Sequence, residues 1–474
     1  MAEARLTSYD VVVIGAGPNG LSTAVALACA GLSTVVVEAD DTIGGGTRTK
    51  ELTAPGFLHD VCSTVHPLGL ASPFFRALDL DVEWIQPPTP LVHVLPDRVV
   101  TLARSIDDTV AQLGRDGETY RRLIEPYVER FDDLLDMILA PLKFPKHPML
   151  LARFGLDAFR SLAGVARARF QDIAVPALLA GVGAHAMIPL EKLATMSFGI
   201  VLAASGHAVG WPIARGGSRA ITDALLAKLR SLGGDVILGQ RVTALDELPR
   251  ARAYVFDVTP RQLLSIAGER FPASYRRSLE RFRYGPGVFK IDWALRGPVP
   301  WRDPRCARAG TIHLSGTLDD VARSERAVHA GAIDERPFVI FAQPSLFDPS
   351  RAPAGKHVAW AYCHVPNGST FDATRAIESH VEAYAPGFRD LVIARSTMNT
   401  RELNAYNANY IGGDINGGIS DLRQLFFRPA PRIDPYATPA RDIFICSSST
   451  PPGGGVHGMC GYHAAQSVLA TLGA

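Results

Sequence analysis

Residues 9–20 read YDVVVIGAGPNG, and no other stretch restricts the fold as tightly. Val11, Val12, Val13 and Ile14 form a short apolar run, which suits a strand buried on both faces of a parallel sheet. Gly15, Gly17 and Gly20 then complete a G-x-G-x-x-G pattern. Residues 21–30 carry no charge and read as a helix closed by Gly31. Residues 34–37 form a second apolar strand, which ends at Glu38, 18 residues after the third glycine. One strand–turn–helix–strand unit with an acid at its end commits this part of the chain to a Rossmann-like α/β sheet.

Each part of the unit has a task in holding a dinucleotide. Gly15 permits a tight turn, Gly17 lets a pyrophosphate approach the backbone, and Gly20 lets helix and strand pack closely. The turn residues Pro18 and Asn19 open the helix, whose free N–H groups and positive dipole end face the phosphates. Glu38 is placed to accept hydrogen bonds from ribose hydroxyls. Residues 44–49, GGGTRT, add a second glycine cluster with Arg48 and Thr49 after a short loop. Backbone at Gly45 and Gly46, with the planar fork of Arg48, suits a second part of a long cofactor. That favours FAD over a nicotinamide dinucleotide.

The remaining numbers exclude more than they assign. The 474 residues carry a net charge of +1, so nothing global points to nucleic acid. Six scattered cysteines contain no Cys-x-x-Cys pair, which argues against a dithiol centre or a zinc site, and no metal-ligand spacing stands out. The chain reads as intracellular and cytoplasmic, with reduced thiols and no secretory signal pattern. Two stretches, 173–190 and 195–214, lack charge, but Pro, Gly, His or Ser interrupts both. A buried wall or an interfacial patch fits them better than a membrane span. Residues 149–169 read as a basic amphipathic helix. Leu151, Phe154, Ala158, Leu162 and Val165 share one face, and Arg153, Arg160 and Arg167 share the other. Packing on the domain core is the plainer reading, and contact with an anionic membrane is the alternative.

In the second half, 288–295 reads VFKIDWAL, with Phe289, Ile291, Trp293 and Leu295 on one apolar face. Residues 358–365 read VAWAYCHV and put Trp360, Tyr362 and His364 on one face. Core is the default for such a face, but this strand is the preferred wall of a substrate pocket, because Tyr and His add polar handles. Near the C-terminus, SSSTPPGGGVHGMCG sits between an apolar strand at 441–447 and a helix at 461–472. It reads as a rigid strand-to-helix turn that aims backbone N–H groups at a ligand.

GAGPNGLSTAVALACAGLSTVVVEADDTIGGGTRT, GFLHDVCSTVHPLG and STPPGGGVHGMCGYHAA together resemble the phytoene-desaturase-like FAD oxidoreductases. That group includes the pyridine nucleotide-disulphide oxidoreductase domain 2-like branch. It is similar in fold to monoamine oxidases and Rab GDP-dissociation inhibitors. The resemblance covers most of the chain.

It implies extended FAD with Gly15, Gly17 and Gly20 under the pyrophosphate, Glu38 on the ribose, and Gly45, Gly46 and Arg48 beside the pyrophosphate and flavin. Val242 would contact adenine, and Thr450, Gly454, Gly455, Val456 and His457 would meet the flavin pyrimidine edge. The segment after Val242 is shorter than the family pattern, which leaves the adenine pocket open in detail. The implied organisation is a discontinuous FAD-binding domain (1–70, 212–275 and 425–474), a helical subdomain (71–211) and a mixed-sheet substrate-side domain (276–424).

The implied activity is dehydrogenation, isomerisation or saturation of carbon–carbon bonds in a polyene, isoprenoid or lipid-like substrate, with oxygen or a quinone as electron acceptor. An amine oxidase is the enzymatic alternative, and a non-catalytic lipid- or partner-binding protein the other. His66 and His457 are the histidines expected nearest the flavin and the candidate proton carriers. Each is equally open to a structural role.

Overall fold

The computed structural model describes residues 8–474. Five parallel strands form the first sheet, in the order Ile443–Ile445, Arg250–Phe256, Ser8–Ile14, Thr34–Val37, Asp235–Ile237. The apolar run 11–14 works as its sequence suggests, because successive side chains point to opposite faces. Val11 and Val13 pack under the helix Pro18–Cys29, while Val12 and Ile14 join Leu263, Phe271 and Tyr275 on the other side. Gly31, at φ +83°, turns the chain out of the helix.

The helix Pro18–Cys29 lies very close to its neighbours. A Cβ on Gly20 would fall 2.0 Å from Gly15 O, and one on Gly461 would fall 2.0 Å from Asn19 O. Helix Met459–Leu472 therefore meets helix Pro18–Cys29 backbone to backbone. The C-terminal helix thus returns to the glycine motif of residues 15–20.

A second, mixed sheet has seven strands, in the order Val392–Met398, Gly287–Leu295, His357–Val365, Val339–Ala342, Ala309–Leu314, Thr89–Val94, Val99–Leu102. The last two come from 71–211, which reads as helical in sequence. Their hairpin docks beside Ala309–Leu314 in parallel, a pairing partner more than 200 residues away. The alternation in 288–295 suggests one apolar and one polar face, yet all nine residues of Gly287–Leu295 are buried. Helix Thr374–Tyr384 and Phe388 cover the face of Ile291 and Trp293. The opposite face carries Lys290 and Asp292 and turns toward residues 59–62, so these two polar residues pair with each other.

The expected helix over 149–169 is two helices, Pro148–Ala158 and Leu162–Arg169. Ser161 caps the second by accepting from Gly164 N–H, and that local bond competes with a continuous helix. Phe154, Ala158, Leu162 and Val165 are buried, and Arg153, Arg160 and Arg167 face outward. The uncharged stretches form the core helices Ala174–Gly183 and Thr195–Ala208. Among the described residues no helix is long and apolar enough to cross a membrane.

Candidate functional site

A cavity of about 310 Å³ opens over the C-terminal ends of the parallel strands, where open α/β sheets bind ligands. Gly15, Gly17, Glu38, Gly45, Arg48 and Val242 line it, as the sequence suggests. Gly15 sits at φ +105°, a left-handed geometry that glycine adopts without a Cβ clash. The helix Pro18–Cys29 begins at Gly17 with no side-chain cap. Pro18 has no N–H, Leu21 N–H closes on Gly17 O and Gly20 N–H is taken by the buried Asp257 carboxyl group, so Asn19 N–H is the first-turn donor that remains for an anion. A bare glycine face, an uncapped helix and a cavity beside an acid fit the pyrophosphate and ribose of FAD.

Glu38 and Arg48 are tied to each other and to their neighbours. Glu38 accepts from Ala16 N–H (2.7 Å), Asp40 N–H (3.0 Å) and Arg48 Nη2 (3.3 Å). Arg48 also donates to Thr42 O (2.6 Å), pairs with Asp40 (3.3 Å) and lies over the Tyr406 ring at 5.5 Å. Thr49 belongs elsewhere. It donates to Asp60 (2.7 Å), whose carboxylate pairs with buried Arg351 (2.9 Å). Burial opposes the Asp60 charge, but Arg351, Ser218 N–H and Thr49 together hold its carboxyl below the usual range.

Gly45 and Gly46 are clamped by two tyrosines that sequence reasoning missed. Tyr406 donates to Gly45 O (2.9 Å), and a Cβ on Gly46 would lie 2.3 Å from Tyr410 Oη. The same Cβ would lie 3.9 Å from Cys62 Cβ. From Cys62 the chain passes His66 to Gly69, where a Cβ would lie 3.0 Å from Val456 O. Contacts therefore run unbroken from the cavity to the C-terminal glycine loop.

Both candidate histidines are buried and engaged by protein. His66 Nε2 meets Ser218 Oγ at 2.8 Å and its ring packs against Trp84. His457 Nδ1 accepts from Met459 N–H at 3.0 Å. Burial pushes each histidine down to about 4. The glycines of the loop answer to protein atoms. Gly453 and Gly455 have φ of +109° and +127°, and a Cβ on Gly454 would lie 3.0 Å from Asn416 O. Thr450 closes the turn by donating to Ser447 O (2.7 Å).

On the second sheet, Trp360 and Tyr362 stack at 5.6 Å and 4°, and Tyr362 leans on His364. His364 Nδ1 lies 2.8 Å from Glu325, and both are buried. Opposite them on the neighbouring strand, Lys290 pairs with Tyr362 and Asp292 with Trp360. Lys290 bonds to Asp292, and His59 Nδ1 stands 3.5 Å from the same carboxylate. The signal for this group was a Lys and an Asp inside an otherwise apolar strand. The partners His59 and Cys62 were hidden by distance along the chain. Asp257, which reaches Gly20 N–H across 237 positions, was missed for the same reason.

Comparisons with known proteins agree with this geometry. The chain is 26% identical over 550 aligned residues to "Pyridine nucleotide-disulfide oxidoreductase domain-containing protein 2" of Rattus norvegicus, spanning 98% of this chain and 94% of the relative. It is 23% identical to a phytoene desaturase (lycopene-forming) of Paracoccus sp., over 95% of each. Among solved structures, an oxidoreductase from Methanosarcina mazei matches with a TM-score of 0.65 at 16% identity, covering 97% of this chain and 99% of that one. Putrescine oxidase bound to putrescine matches at 0.61 and 16% identity, covering 98% and 99%. Residues 10–270, more than half of the chain, match the family described as "DAO: FAD dependent oxidoreductase", and the chain belongs to that family.

Proposed function

We propose that this FAD-dependent oxidoreductase acts on an apolar substrate, by dehydrogenation, isomerisation or saturation of carbon–carbon bonds. The observation that carries the reading is the packed apolar cluster around Cys62. There Met187, Val288, Tyr362, Met398, Tyr406, Tyr410 and Ile415 form one apolar cluster beside the Gly45–Gly46 clamp. A wall of aliphatic and aromatic groups with a few phenols suits a hydrocarbon chain. The similarity to a phytoene desaturase points the same way.

In this reading Gly15, Gly17, Pro18, Asn19, Gly20, Glu38 and Val242 hold the adenosine diphosphate half. Gly45, Gly46, Arg48 and the loop bearing Thr450, Gly454, Gly455, Val456 and His457 hold the flavin half, while Thr49 braces the Asp60 clamp. When bound, FAD supplies a two-electron acceptor. The chain's own residues bind the substrate, exclude water and set its orientation against the Trp360–Tyr362 face. His66 and His457 act as positioning groups, because His66 Nε2 and His457 Nδ1 are engaged and their neutral forms are favoured. Lys290 and Asp292 of the second sheet, with His59 beside them, are the groups to examine for proton transfer.

The amine-oxidase alternative rests on fold. Trp360 and Tyr362 stack directly, so they leave no slot between them for an amine. Peripheral membrane contact belongs to the same proposal. Leu142, Phe144, Met149 and Leu156 are exposed apolar side chains interspersed with Lys143, Lys146 and Arg153, an arrangement that suits an anionic lipid surface of the cytoplasmic leaflet.

The test is anaerobic mixing of the FAD-loaded protein with a polyene hydrocarbon in detergent and, separately, with primary amines. Reoxidation after photoreduction is then followed with oxygen, a quinone and NAD(P)+. Bleaching by the hydrocarbon and reoxidation by oxygen or quinone is expected. Bleaching by amines with peroxide release would replace this reading with the amine-oxidase one. A flavin that none of these acceptors reoxidises would favour a binding protein.

A further inference from the structure

The phosphate end of the cavity holds a carboxylate. Asp257 follows the strand Arg250–Phe256 and is 8% exposed. Its backbone N–H donates to Ile14 O (2.8 Å) and its carbonyl accepts from Asn409 Nδ2 (3.0 Å), so the residue is fixed from both sides. Its Oδ2 accepts from Gly20 N–H at 2.9 Å, inside the first turn of the helix that faces the phosphates. A Cβ on Gly17 would lie 2.8 Å from the same oxygen. Gly17 is the glycine whose bare face lets a pyrophosphate approach. The carboxyl group and the phosphates thus compete for one small, positively polarised space.

Among the described residues no cation is paired with this carboxyl group. Arg48 is engaged by Glu38, Asp40 and Thr42 O. Arg241 lines the same cavity. From the end of strand Thr34–Val37, Glu38 adds a second negative charge. Cys446 and Cys460 face Asp257 from the C-terminal segment, and burial keeps both thiols protonated. Gln262 and Asn409 are neutral. Burial, helped by Glu38 and opposed by Gly20 N–H, pushes the Asp257 carboxyl up to about 7.

We propose that Asp257 is a cofactor-binding residue that admits the FAD pyrophosphate in its protonated form, so that loading of FAD takes up one proton from solvent. Protonation removes one negative charge from the space beside Gly17. The carboxylic acid still accepts from Gly20 N–H through its carbonyl oxygen. Its O–H becomes a donor that an anionic phosphate oxygen can accept. No bond other than O–H is made, and the proton balance is one per FAD. The inference rests on the assignment of this cavity to FAD.

The test measures the Kd of the full-length chain for FAD by flavin fluorescence from pH 6 to 9 at constant ionic strength. Calorimetry at pH 8 in two buffers of different ionisation heat counts protons directly. Wild type is expected to weaken about 50-fold between pH 7 and pH 9, since only the protonated fraction binds. About one proton should be taken up per FAD at pH 8. Asp257→Asn keeps the acceptor and the donor without the charge, so its Kd should change by less than about twofold over the range. It should also bind more tightly than wild type at pH 9. A wild-type Kd that is flat with pH, no proton uptake, or the same pH dependence in Asp257→Asn would overturn the proposal while leaving the FAD site intact. If Asp257→Asn fails to fold, Asp257→Ser and the wild-type proton count decide the question. Failure to bind FAD at any pH would overturn both the proposal and the site assignment.

Discussion

Gly20→Ala and Gly31→Ala place the same methyl group at the two ends of helix Pro18–Cys29, with different expected results. At Gly20 the new Cβ would lie 2.0 Å from Gly15 O, a backbone atom in the turn beneath the pyrophosphate. Ordinary contact needs more than 3 Å, so helix and turn must separate by about 1 Å, and such overpacking costs about 1–3 kcal/mol. The same shift moves the first-turn N–H groups away from the phosphates. Losing about 1.5–3 kcal/mol of phosphate contact corresponds to about 10–100-fold in FAD affinity. At Gly31 a Cβ meets nothing within 4 Å, but φ is +83°. That substitution costs about 1–2 kcal/mol of backbone strain and leaves the cradle untouched.

Urea unfolding of the apo-protein and FAD titration by flavin fluorescence separate the two effects. Both variants should lose stability, and only Gly20→Ala should lose FAD. If Gly20→Ala binds FAD within about twofold of wild type and unfolds at the same urea concentration, the close helix–turn approach is not what builds the phosphate site.

Three further outcomes follow from the same geometry. Gly455→Val forces a β-branched residue to φ +127°, so it should lose FAD while the far-ultraviolet circular dichroism stays near wild type. Normally coloured protein would show that the loop does not hold the flavin. Asp60→Ala leaves Arg351 buried without its partner, which should cost about 3–5 kcal/mol in urea unfolding. Asp60→Leu combined with Arg351→Met should recover most of that loss, and a double variant no better than the single one would refute the reasoning. Finally, His66, His93 and His457 are held near 4 against an ordinary value of about 6.5. A depressed folded-state value means that the unfolded chain binds protons first as pH falls. Stability present above pH 6.5 should therefore be lost between about pH 6.5 and 4, each histidine adding up to about 1.4 kcal/mol per pH unit. A urea midpoint unchanged between pH 7 and pH 5 would contradict their burial as neutral groups.

Much of the nucleotide-binding half was legible because its rules are local. A buried strand, a positive-φ glycine, a helix start and an acid at the next strand end all occur within 9–38, where a few residues dictate backbone geometry. The C-terminal glycine run was legible for the same reason. The strand and helix that flank it convert a flexible composition into a fixed turn. What it touches was not, since Gly453–Gly455 fit against Arg428, Asn416 and His457 rather than against open space. The helix over 149–169 failed at Ser161, where one local hydrogen bond outweighed a continuing apolar period.

The sequence by itself therefore determined the cofactor class, the Rossmann-like unit and the residue types that cradle a pyrophosphate. Only the tertiary structure decided which polar groups share that space. Asp257 reaches Gly20 across 237 positions. Lys290 and Asp292 face inward because helix Thr374–Tyr384 covers the other side of their strand. The hairpin Thr89–Val94 with Val99–Leu102 finds its sheet only once the chain has closed. Periodicity records which face of an element is apolar, but it does not record what is packed against the other face. Long-range packing chooses that partner, and here it sets the charge beside the cofactor.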